Sequence, residues 1–207
     1  MRKTIIVVIL FLNSLGCLIE KTDVKGNQQK KVVYLSEDQA QEVVESIREL
    51  LEEIVNDSLI KKSSLDTLTA LFEKNEFIKI GKNSFPQGVV DSKLLYDSTD
   101  RLLKLVDSKN ECLVYLLTIS LKITRIAEFS EYISQKIPVI ALGNTLEFVR
   151  YYDSCSTKYR NFLLNDLENF KTKDQLEQFI SNLDEIGERA LHIASQDLKH
   201  KLLKRFR

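Results

Sequence analysis

The chain has no tryptophan, one methionine, two histidines, two prolines, three cysteines and only six glycines in 207 residues. Each shortage excludes something. Sheets and tight loops need proline and glycine as punctuation, and long helices avoid both. Glycines this scattered cannot build a phosphate-cradling loop, and no Gly-x-Ser-x-Gly elbow is present. His192 and His200 stand roughly two helical turns apart, so they cannot close on one ion as an i, i+4 pair would. Neither charge sign is in excess, with 30 basic and 30 acidic side chains. The basic bias of a nucleic-acid binder is therefore missing, and no nucleic-acid partner is expected. No pattern points to catalysis, so neither enzyme activity nor a cofactor or metal is expected.

The three cysteines, Cys17, Cys112 and Cys155, form an odd set. If Cys17 is consumed by a lipid, Cys112 and Cys155 are left. In a hairpin turning at Pro138 they would be offset by roughly 15 Å along the helix axes, while a disulfide wants Cα atoms within about 7 Å. Two buried thiols are expected.

What is present is concentrated at the start. Arg2 and Lys3 precede the apolar run Thr4 to Leu12, which leads to Ser14-Leu15-Gly16-Cys17. A basic start, a short apolar middle and small residues before a cut site describe an export signal. The run is about a dozen residues, and a bilayer-spanning helix needs roughly 20. Residues 1–16 therefore read as a signal peptide. The order Ser-Leu-Gly-Cys fits a relaxed lipobox, in which Cys17 takes a diacylglycerol. Plain cleavage after Gly16 remains open, because Ser14 and Gly16 also satisfy a small-x-small rule. Residues 17–33 read as the lipidated cysteine and a lysine- and glutamine-rich tether, reaching about 20 Å if it behaves as a coil.

Residues 34–207 carry apolar side chains at helical spacing. Ser36-Glu37-Asp38-Gln39 reads as a capping box ahead of Val43, Val44, Ile47, Leu50, Leu51 and Ile54. A shorter helix starts at Ser63, and the segment Ile80 to Val90 reads as a loop. Asp91 or Ser92 caps a third helix. A fourth runs from Asn110 to about Lys136, apolar nearly all round in its first half, which marks the buried centre of a domain. Pro138 breaks it, and Gly143 falls in the turn that follows or in an irregular first turn. One helix then runs from Asn144 through Leu167. Another, opened by the capping box Thr172-Lys173-Asp174-Gln175, continues nearly to the C-terminus. The expected fold class is all-α, a single compact bundle of five to six helices.

Two features are candidates for binding. The C-terminal Lys199, Lys201, Lys204, Arg205 and Arg207 either complement a helix C-terminus or form a patch for a polyanion such as a glycosaminoglycan, or for an acidic host protein. Phe148, Tyr151, Tyr152, Tyr159 and Phe162 cluster at helical spacing and are either core or an aromatic interface.

The layout resembles the small plasmid-encoded, exported helical lipoproteins of Borrelia spirochaetes, of the exported plasmid protein A and BapA kind. The resemblance rests on Met1-Arg2-Lys3, the short apolar run to Leu15-Gly16-Cys17, the polar tether, and a lysine-, leucine- and isoleucine-rich body without tryptophan. It implies an outer-surface or periplasm-facing protein that binds a host or tick factor, with Cys17 as the one functional residue carried across. The leading expectation is an exported, lipid-anchored outer-surface protein, held to the membrane by its lipid, that binds a host or tick protein or a glycosaminoglycan. A structural or periplasmic envelope lipoprotein without a host ligand, and a secreted soluble helical protein, remain as alternatives.

Overall fold

The computed structural model describes residues 33–34, 37–57, 59–73, 78–80, 83–84, 91–106, 110–122 and 127–206. The leader, Cys17, the tether up to residue 32, the Ser36 cap and Arg207 lie outside the described residues. The described chain is built mainly of helices, as the periodicity requires. Its contacts divide it into two compact units, residues 1–99 and 100–207.

The first unit contains β1 (Val33–Tyr34), α1 (Glu37–Asn56), α2 (Lys62–Glu73), β2 (Ile78–Ile80), β3 (Asn83–Ser84) and most of α3 (Ser92–Leu103). Helix α1 buries Val43, Ile47, Leu50, Leu51 and Ile54, the i, i+3, i+4 stripe its sequence announces. Its opposite face is acidic, with Arg48 bridging Glu45 and Glu52. Helix α2 buries Leu65, Leu68, Leu71 and Phe72. The Ser64 hydroxyl donates to Glu53 Oε2 at 3.0 Å, joining α2 to α1. The small sheet is a departure from the expected loop. Val33 pairs with Ile78 and Tyr34 with Lys79 in parallel, and Lys79 pairs with Ser84 and Ile80 with Asn83 in antiparallel. Strands of two or three residues are too short to leave a period-2 signal. Asp91 caps α3, its Oδ1 accepting from Leu94 N at 3.1 Å.

The second unit holds α4 (Asn110–Lys122), α5 (Ala127–Ser134), α6 (Ile137–Gly143), α7 (Thr145–Ser154), α8 (Thr157–Asp166), a 3₁₀ turn (Leu167–Asn169), α9 (Lys173–Asp184) and α10 (His192–Arg205). Helix α4 is its buried centre. Cys112, Leu113, Tyr115, Leu116, Leu117, Ile119 and Leu121 are all buried. Burial pushes the Tyr115 phenol far above its ordinary pKa.

More helices are described than five to six: two long apolar periods are each cut, and a short helix stands around Pro138. Of the helix expected from Asn110 to Lys136, α4 is described to Lys122 and α5 from Ala127 to Ser134, and residues 123–126 lie outside the described residues. Helix α5 ends at Ser134, ahead of Pro138, so the expected break is present, and the proline also opens the next helix. It stands in the first turn of α6, where its missing N–H has no intrahelical duty and its fixed φ suits the start. Gly143 is the last residue of α6 and not part of a turn. The helix expected from Asn144 to Leu167 stops at Ser154, because Cys155 is extended (φ −77°, ψ 149°) and Ser156 is the extended N-cap of α8. The helix expected from Thr172 to the C-terminus ends at Asp184 and resumes at His192.

The second of those capping boxes forms only in part. Thr172 accepts from Gln175 N at 3.3 Å. The Gln175 side chain accepts from Lys171 N at 3.2 Å, one residue short of the reciprocal bond. Beyond the end of α9, Ser195 reaches back from α10 and donates to the Leu183 carbonyl at 2.6 Å. That carbonyl is among the last of its helix, where no intrahelical donor exists. Phe179 packs edge-on against Phe148, with ring centroids 6.0 Å apart, and so joins α9 to α7.

Candidate functional site

The C-terminal cations are largely spent within the fold. Lys199 Nζ sits 2.6 Å from Asp184, at the end of α9. Lys201 Nζ sits 2.6 Å from Asp197, one turn earlier on α10. Arg205 pairs with Glu168 and donates to Asn165 Oδ1 at 2.6 Å. The Lys199 bond holds the Asp184 carboxyl below its ordinary pKa. The bond to Asp197 raises Lys201. Lys204 is exposed, and Arg207 lies outside the described residues. Three of the five clustered cations thus sit in ion pairs, which reduces the field a polyanion would meet.

The expected aromatic cluster splits. Phe148 and Tyr152 are fully buried. The Tyr152 hydroxyl donates to Asp197 Oδ2 at 3.2 Å and accepts from Lys201 Nζ at 3.4 Å, and Arg160 lies over its ring at 5.3 Å. Burial raises the Tyr152 pKa, with Lys201 opposing. This network ties α7, α8 and α10 together. It satisfies itself, so it reads as structure.

Tyr151, Tyr159 and Phe162 stay at the surface, on α7 and α8. Phe162 is 38% exposed, and Tyr151 and Tyr159 are half-buried. Helix α4 supplies the floor. Val114, Thr118 and Lys122 are spaced i, i+4, i+8, so they line one stripe. Val114 is 39% exposed, unlike the rest of its helix centre. Thr118 Oγ1 shares a 3.0 Å hydrogen bond with the Tyr151 hydroxyl. Lys122 Nζ donates to the Tyr159 hydroxyl at 2.6 Å and lies 4.3 Å from its ring centroid. Lys158 lies 5.6 Å from the Tyr159 centroid and 5.8 Å from that of Phe162. Two ammonium groups therefore converge on one phenol ring within cation–π range. The sequence offered the residue types but not the sorting. Tyr152 and Tyr159, seven apart, would share a face on one continuous helix; the extended Cys155 breaks that register.

A cleft of about 500 Å³ lies between the α6–α7 junction and the end of α9, lined by Leu142, Thr145, Leu146, Asn182 and Ile186. Its polar groups serve one another: Asn182 donates to Thr145 Oγ1 at 3.1 Å, and Thr145 to the Leu142 carbonyl at 3.3 Å.

Cys112 is buried and Cys155 half-buried, and they are not bonded to each other. Arg160 Nε donates to the Cys155 carbonyl at 3.0 Å. His192 and His200 are exposed, and among the described residues no group of three or more His, Cys, Asp or Glu is placed to hold a metal ion. Among those same residues no helix is long and apolar enough to cross a membrane. The chain matches no protein-family model, no curated protein and no solved structure.

Proposed function

We propose that the chain is an exported, lipid-anchored helical protein of a bacterial outer surface that acts by binding a host or vector macromolecule. The leader Met1–Gly16 supplies the address, and Cys17 the point of acylation. A single saturated chain gives only marginal membrane affinity, at about 0.8 kcal/mol per buried methylene, so the multiply acylated cysteine is what would hold the protein in place.

The observation that carries the binding reading is the surface of α4, α7 and α8. There Tyr151, Tyr159 and Phe162 remain at the surface beside Lys122 and Lys158. Surface tyrosines, with Tyr159 beside the Phe162 ring and two ammonium groups, are among the residue types that anchor protein interfaces.

Labelling cells with a radioactive fatty acid, wild type beside Cys17→Ala, tests the anchor. Incorporation in the wild type and its loss in the variant are expected; an unlabelled wild type ends the lipoprotein reading. Protease added to intact cells tests display. Cleavage is expected, and full resistance in cells whose lysate is cleaved returns the protein to the periplasmic leaflet.

A further inference from the structure

We propose that the outer face of α10 is a self-association surface, on which a second copy of this chain lays its own α10 antiparallel, so that Ile193 of each copy meets Leu203 of the other.

The exposed apolar residues single out this helix. Among the described residues, Val114 on α4, Val139 on α6, Leu146 on α7 and Phe162 on α8 stand one to a helix, and a lone apolar side chain at a surface is ordinary. Helix α10 carries two, Ile193 at 81% and Leu203 at 38% exposed, and exposed Phe206 follows its last turn. Its inner face is spent within the unit, where Ala194, Ser195, Leu198 and Leu202 are buried. The outer residues Ile193, Gln196, His200 and Leu203 follow one another at steps of three, four and three, the spacing of a helix–helix seam.

The pattern selects a second copy over an unrelated helix. The seam reads apolar, polar, polar, apolar from either end. Turned end for end on itself, with Ile193 opposite Leu203, it sets Gln196 opposite His200. Apolar then meets apolar and polar meets polar, and each contact occurs twice about a two-fold axis. The Gln196 amide nitrogen donates to Asp184, and its carbonyl oxygen is the acceptor for an imidazole N–H of the second copy's His200. A polar layer between apolar ones fixes register and direction at some cost in affinity.

Charge favours the same direction. A parallel pair would bring two basic ends together, Lys204 and Arg205 of each copy. The antiparallel pair keeps them a helix length apart, ~21 Å for 14 residues. The flanking charges arrive compensated, Lys199 on Asp184 and Lys201 on Asp197. One helix pair is a small contact, below the roughly 1,200 Å² of a standard interface, so the dimer is weak, with Kd on the order of 100 μM.

The test uses the full chain in excess mild detergent, followed by sedimentation equilibrium from about tenfold below to tenfold above that Kd. Circular dichroism confirms that each variant is folded. A monomer–dimer equilibrium is expected. Ile193→Glu should weaken it about tenfold or more, because each dimer loses two apolar contacts and buries two carboxylates in their place. Adding Leu203→Lys to the same chain should restore most of that loss, since each Glu then faces a Lys; a parallel pair would set Glu on Glu. Val139→Glu, at an exposed apolar position on α6, should stay within about twofold of wild type.

The proposal is overturned if the chain is monomeric throughout, which leaves the face to some other partner, or if Val139→Glu matches Ile193→Glu. It is equally overturned if the double variant is no stronger than Ile193→Glu alone, or if association ignores every α10 variant, as association through the leader or a lipid would. Acylation and display enter none of these outcomes.

Discussion

Removing one oxygen atom, in Ser195→Ala, tests whether α9 and α10 are joined as described. Ser195 is fully buried, and its hydroxyl donates to the Leu183 carbonyl at 2.6 Å. The substitution removes little volume, so the cavity contribution is small. The carbonyl, however, sits near the end of α9, where the helix supplies no donor. The cost is then that of a buried acceptor left without its partner, about 1–3 kcal/mol. The second unit spans residues 100–207, and for a domain of roughly 100 residues each kcal/mol lowers Tm by about 4 °C or more. A loss of about 4–12 °C is expected, with a matching drop in the urea midpoint followed by far-ultraviolet circular dichroism. Ser154→Ala is the control. Its hydroxyl also donates to a carbonyl, that of Tyr151 at 2.7 Å, but in an exposed position, so the change should stay within about 0.5 kcal/mol. If Ser195→Ala is as mild as Ser154→Ala, the inter-helix bond does not carry the junction and the reasoning fails.

Three further outcomes follow from the same geometry. Asp166 is half-buried and accepts from Ser134 Oγ at 2.6 Å, and burial raises its pKa; a raised acid pKa in the fold costs stability above that value and returns it as pH falls toward the ordinary carboxylate range. Asp166→Asn should therefore be at least as stable as wild type at pH 7, with its advantage shrinking toward pH 4, and urea midpoints at the two pH values check this; a variant that is worse at pH 7 contradicts it. Tyr152→Phe removes the hydroxyl that Asp197 and Lys201 share and should cost about 1 kcal/mol, whereas a neutral result would mean the ion pair closes by itself. In a Cys17→Ala background, a thiol-titrating disulfide reagent should modify half-buried Cys155 well before buried Cys112; equal rates would contradict the burial of α4.

The helices were legible because their apolar stripes recur at the right spacing, as Val43, Ile47, Leu50 and Ile54 do in α1. The breaks between them were not, because the stripes run on across them. Leu183, Ile186 and Leu191 are all buried, so periodicity continues where the helix does not. Pro138 illustrates the other failure. A proline between two apolar stretches signals a stop, and only the fold shows that it is also a start. The C-terminal charge run was visible, but its neutralisation depends on Asp184 and Glu168, which are remote in sequence. Of the three pairs only Asp197 with Lys201 has the i, i+4 spacing that a sequence displays. The aromatic surface was half legible. Residue types marked it, but which rings face outward was decided at Cys155.

Helix α6 is two turns long, yet it touches α5, α7, α8, α9 and the 3₁₀ turn. A helix that short cannot persist by its own hydrogen bonds in water. It exists because five neighbours enclose Ile137, Pro138, Ile140 and Ala141. The buried Ile140 amide, which donates to the Lys136 carbonyl, should therefore exchange at the rate set by opening of the whole second unit, a reporter for the cooperativity of the rest.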